Sequence, residues 1–133
     1  MRITITAGFF VLPGCLWLLG RWGLTLPFLL AAALHETGHL AALMTFQIPV
    51  TALELHAGGA VIRAALPGGR REALALAAGP AVNLLLAAVF WRPWHFFALC
   101  NLALAIGNLL PLPKRDGGRI VRVLRRKRHF RAL

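Results

Sequence analysis

Acidic residues are the scarcest charged class in this chain. Only Glu36, Glu54, Glu72 and Asp116 occur in 133 residues, against fifteen Lys and Arg. Tyrosine is absent, cysteine occurs twice, and charged residues of both signs make up 14% of a chain that is 59% hydrophobic. So few polar groups cannot clothe the surface of a water-soluble domain. A mean hydropathy of +0.70 places the chain with membrane proteins instead. Cys15 and Cys100 both fall in apolar runs. They offer no disulfide framework and read as packing residues. The length suits a single domain, 1–133. The formal charge of +11 raises nucleic acid as a partner, but where the charge sits argues membrane orientation first.

Four apolar stretches are present. Ile3 to Gly20 is the first, closed by Arg21-Trp22. A cleaved signal peptide is the rival reading, but the start carries only Arg2 and no small-residue cleavage site precedes a polar segment. A lipoprotein site at Leu12-Pro13-Gly14-Cys15 is opposed by the apolar Leu16-Trp17-Leu18-Leu19 that follows. A retained span bent near Pro13 is expected. Leu24 to Phe46 is long enough to cross a bilayer with some tilt. Glu72 to Trp91 is rich in small residues, is interrupted by Gly79-Pro80 and carries Asn83. Trp94 to Leu110 carries Asn101 and Asn108, and Pro111 and Pro113 end it.

Between the second and third stretches the pattern changes. Thr51, Leu53 and Leu55 alternate with Ala52, Glu54 and His56, Gly58-Gly59 marks a turn, and 60–66 can return. This predicts a β-hairpin at the membrane surface, whose edge could pair with an extended substrate segment. His56 is a remote candidate ligand, since it belongs to a different element from the other histidines. Arg119 to Leu133 carries seven basic residues and a short apolar stripe, which suits an amphipathic helix on anionic lipid better than a nucleic-acid contact.

With both termini cytoplasmic, thirteen of the fifteen Lys and Arg lie inside and only Arg21 and Arg92 outside. Trp22, Trp91 and Trp94 then fall at the outer boundary, as an aromatic belt would. The expected fold is therefore an all-α polytopic membrane protein in the cell membrane, with about four transmembrane helices and a small cytoplasmic-side hairpin.

The most informative residues are His35-Glu36-Thr37-Gly38-His39, within the second stretch. Residues four apart share a helix face, so both histidines can grip one metal ion, and Glu36 beside them can accept a proton from water. An ionisable group in a membrane span is costly and by default marks function. Asp116, on a glycine-flanked stretch after the fourth span, could be a third ligand. The alternatives for it are a helix N-cap or a salt bridge to Lys114 or Arg119. To meet the histidines, the chain after Pro111 must fold back against the second span. Asn83 reads either as interhelical glue or as an active-site contact.

Together these residues resemble the site-2 protease family of intramembrane zinc metalloproteases. The matching pieces are His35 to His39, Gly79-Pro80-Ala81-Val82-Asn83, and Asn108-Leu109-Leu110-Pro111 followed by Asp116-Gly117. The resemblance covers about 24–119, leaving 119–133 as a basic tail. It implies zinc held by His35, His39 and Asp116, Glu36 as catalytic base, and Asn83, Asn108, Gly79 and Pro80 as residues that position the site or substrate. One span before the zinc-binding helix is closest to the sporulation stage IV FB-type branch. No stretch here suits the PDZ or CBS domains of some relatives. Lys114-Arg115 also stand where the family is more apolar, which would draw that loop toward water.

The expected activity is hydrolysis of peptide bonds in or beside the membrane segment of a protein substrate, as in regulated intramembrane proteolysis. Its partners would be that membrane-associated substrate, anionic lipid at the basic tail, and a regulatory membrane protein; nucleic acid is not expected. One alternative is a non-catalytic membrane scaffold that keeps the metal site as a structural clamp. Another is a proton-coupled carrier using His and Glu as a relay, which the lack of paired inverted repeats opposes.

Overall fold

The computed structural model describes residues 2–6, 11–20, 22–56, 59–66 and 68–131. Among them run β1 (Arg2–Ile5), α1 (Val11–Leu18), α2 (Trp22–Thr45), β2 (Val50–His56), β3 (Gly59–Ala64), α3 (Gly69–Val89), α4 (His95–Leu109) and α5 (Asp116–Arg131). Helices dominate, and the strands form one small sheet in the order β1-β2-β3.

The expected hairpin is present. β2 and β3 pair antiparallel, with Leu53 opposite Ile62 and Glu54 opposite Val61. Arg63 clamps the register by donating to both carboxylate oxygens of Glu54, at 2.7 and 3.0 Å. The third strand was not expected. β1 pairs parallel with β2 from Arg2↔Ala52 to Ile5↔Leu55. The first apolar stretch is therefore not one continuous helical span. Ile3-Thr4-Ile5 is β-branched throughout and fits a pleated ribbon better than a helix. Among the described residues of this stretch the helix α1 has eight residues, about 12 Å, against a bilayer core of about 30 Å.

Among the described residues two helices are long and apolar enough to cross a membrane, Gly23–Thr45 and Gly69–Val89; the apolar α4 is shorter at 15 residues. Their outer surfaces suit lipid: Leu26, Met44, Leu85 and Val89 are all more than half exposed, and Trp91 and Trp94 stand exposed at the α3–α4 turn. The helix interfaces, by contrast, bury small and polar residues, among them Ala31, Ala98, Ala105, Asn83 and Asn101. This inversion of the water-soluble pattern is what packing in lipid requires.

α2, α3 and α4 pack against one another, and α5 packs mainly on α3. α2 ends through Gln47 in the left-handed conformation (φ 55°), with the Ile48 N–H bonded to the Leu43 carbonyl. That turn seats Leu43 and Ile48 with Ala75 in a small core, which Phe46, Val50 and Ile62 cover from the hairpin side. α2 and α3 approach closely at Gly38, where a Cβ would stand 2.9 Å from both the Ala78 carbonyl oxygen and Val82 Cγ2. Replacing Gly38 by Leu is expected to force α2 and α3 apart at a cost of about 2–3 kcal/mol, read as a lower thermal midpoint in detergent. Gly107, with open space where its Cβ would go, should accept Ala without loss.

Candidate metal centre

Three electron-rich atoms converge between α2 and the start of α5. His35 Nε2 and His39 Nε2 lie 3.1 Å apart, and Asp116 Oδ2 is 3.2 Å from each. All three residues are buried. Among the described residues they form the group of His, Cys, Asp or Glu able to hold a metal. The fit to an ion is geometric as well as chemical. Neighbouring ligands of a tetrahedral zinc, with bonds of about 2.0–2.2 Å, stand roughly 3.3 Å apart, close to all three edges seen here.

The imidazole orientations serve the same end. His39 Nδ1 donates to the Ala75 carbonyl oxygen at 2.8 Å. That fixes the tautomer, so Nε2 of the neutral ring presents its lone pair to the cluster. The bond exists because Gly79, four residues after Ala75, has no side chain: a Cβ there would land on the His39 ring at Nε2. The two rings meet edge to face, with centroids 4.8 Å apart. His35 Nδ1 is buried without a protein partner.

Asp116 arrives by a tight fold-back. After Leu109 the chain turns through Pro111 and Pro113, and α5 begins at Asp116 itself. Gly117 and Gly118 make this possible, since a Cβ on the first would strike the Leu109 carbonyl and on the second the Leu112 carbonyl. The expected pull of Lys114-Arg115 toward water does not carry Asp116 with it: both side chains point out, while the next residue is 8% exposed.

Glu36 is half-buried beside the cluster. The groups whose charges act on it are His39, His35, Asp116 and Arg119. Asn83 is completely buried, and neither atom of its amide has a protein partner. It stands one helical turn beyond Gly79, which faces His39, so in the antiparallel α2–α3 pair it is level with His35. Pro80 is fully buried within an uninterrupted α3. Asn108 is placed differently. Its Oδ1 accepts from Arg115 Nη1 at 3.3 Å, which ties the amide to the loop carrying Asp116 rather than to the histidines. The side chain of His56 lies outside the described residues.

Sequence reasoning missed the Ala75 carbonyl as the partner that orients His39. The available signal was Gly79, whose lost side chain clears the path. It also assigned no role to Asn101, which is fully buried and bonded through Nδ2 to the Phe97 carbonyl, with Oδ1 unpartnered.

Residues 88–132 match Peptidase family M50, the site-2 protease family. That segment runs from the end of α3 through α5 and contains Asn108 and Asp116 but neither histidine. No curated protein matches the chain. The match covers about a third of the chain and is to a family of metallopeptidases; outside it, His35 and His39 complete with Asp116 a group able to hold a metal.

Gly79→Ala and Gly117→Ala test this construction, the first displacing His39 and the second Asp116. Each is expected to weaken zinc binding about 10–100-fold, the range for groups that orient metal ligands. Competition with a chelating dye on protein purified in detergent would measure it.

Proposed function

We propose that the chain is an intramembrane zinc metalloprotease of the site-2 type, acting on peptide bonds in or next to the membrane segment of a protein substrate. The observation that carries this reading is the convergence of two imidazole nitrogens and one carboxylate oxygen at 3.1–3.2 Å, with Glu36 adjacent, at membrane depth. His39 lies six residues, and His35 ten, before the end of α2 at Thr45, so the cluster is about 9–15 Å below that end.

His35, His39 and Asp116 would hold the ion, which when bound supplies Lewis acidity toward water and the scissile carbonyl. Glu36 takes the proton from the attacking water and returns it to the leaving amine. Half-burial keeps this carboxylate away from bulk water. The Asn83 amide, level with His35 and free of protein partners, would hold the substrate backbone. Asp116 and Arg115–Asn108 fix the loop that closes the cytoplasmic side.

A helical substrate must unwind before attack, because its carbonyls are bonded within the helix. Adding the unwound segment as a strand to the small sheet would hold it extended. β2 is paired on both sides, so the segment would join at the outer edge of β1 or of β3. A membrane-associated substrate and a regulatory membrane partner belong to this proposal, as does the orientation with both termini cytoplasmic. The stage IV FB-type placement, and with it a role in sporulation, is the finer part of this proposal and rests on the apolar stretch before α2.

Zinc content of the purified protein tests the centre. One tightly held zinc per chain is expected in the wild type and a loss in Asp116→Ala; zinc indifferent to Asp116 would remove the three-ligand site. Glu36→Gln separates enzyme from scaffold. A protease should keep its zinc and lose cleavage by about 10²–10⁴-fold, whereas a clamp would lose nothing measurable.

A further inference from the structure

We propose that a groove between the loop after α4 and the outer face of α5 binds the phosphate headgroup of an anionic membrane lipid. The groove encloses about 400 Å³; Pro111, Pro113 and Val121 form its floor, and Arg122, Arg125 and Arg126 its rim. Positions 122, 125 and 126 fall at i, i+3 and i+4 on α5, so the three guanidiniums share one face. Arg122 Nη2 donates to the Pro113 carbonyl at 3.2 Å. This pins one guanidinium across the mouth and leaves its other donors for a ligand. None of the four carboxylates of the chain lines the groove. Three cations on an apolar floor without an acidic partner call for an anionic ligand, and guanidinium forks match phosphate oxygens in pairs.

The surroundings favour a lipid as the source of that phosphate. Leu110, Leu112 and Leu124 are each about half exposed beside the groove, where the apolar α4 ends. Headgroup and acyl chain would thus meet the side chains that suit each, the arrangement of an interfacial helix. The site does not depend on the protease reading. It does bear on the metal centre by position, since Asp116 opens the helix that carries the rim and Pro113 belongs to the loop that delivers it. A headgroup bridging the two would hold the fold-back shut.

The test uses the full chain, purified in detergent and stripped of lipid. Phosphatidylglycerol or phosphatidylcholine is added, and retained lipid is counted by native mass spectrometry. One phosphatidylglycerol per chain, held in preference to phosphatidylcholine, is expected. The double variant Arg122→Gln/Arg126→Gln should weaken that retention about 30-fold, from the contribution of two arginines near an anionic surface. Arg70→Gln/Arg71→Gln, exposed at the start of α3, should leave it unchanged. Val121→Glu, which puts a carboxylate on the floor and keeps every arginine, should abolish it, and helix content by circular dichroism should be equal in all variants. Equal weakening by the α3 variant would reduce the effect to diffuse charge and overturn the site. Unchanged retention in the α5 variants would do the same. Displacement of the lipid by millimolar inorganic phosphate would assign the groove to free phosphate and overturn the lipid as its occupant.

Discussion

The contact of Asp116 Oδ2 with the Nε2 atoms of His35 and His39 joins parts of the chain separated by 77 to 81 residues, and the helical architecture is arranged around making it. A carboxylate cannot be sunk beside an apolar helix unless something offsets its desolvation, and a cation held between it and the two imidazoles would do so. Each approach to that point is cleared by a missing side chain. Gly38 lets α3 close on α2, Gly79 gives the His39 ring its seat, and Gly117 and Gly118 let the first turn of α5 lie on the carbonyls that end α4. Glycine serves here for proximity rather than for unusual backbone angles: none of these four has a positive φ.

The same economy explains why polar groups are left over inside the bundle. His35 Nδ1, both amide atoms of Asn83 and Oδ1 of Asn101 are buried without protein partners. In a structural core such atoms would be replaced by apolar ones, because each unmet group costs about 1–3 kcal/mol. At the proposed centre, those of His35 and Asn83 are places where a substrate backbone or water would bond. Asn83 carries the strongest case, because the packing of Gly79 on His39 sets it level with His35.

Much of the site was legible from residue spacing. His35 and His39 are four apart in an apolar run, so their shared face followed from helical geometry alone, and the alternation at 51–56 with glycines after it specified the hairpin. What failed was the first apolar stretch. A run with little polar punctuation hides its period, and only tertiary pairing with β2 shows that Arg2–Ile5 is strand. The loop at Lys114-Arg115 misled for a different reason. Charge composition describes where side chains go, but successive residues in a turn can face opposite ways, and Asp116 turns inward while its neighbours stay in water. The Ala75–His39 bond was not legible, because every backbone carbonyl looks alike in a sequence.

The parallel pairing of β1 with β2 also dictates an order of assembly. Parallel neighbours cannot be joined by a tight turn, and here the crossover consists of α1 and the whole of α2. Arg2 pairs with Ala52, so β1 gains its partner only after about fifty further residues, the whole of α2 among them, have been made. Until then its amides must be satisfied by water or by another chain, and it offers an edge to which a foreign strand can add.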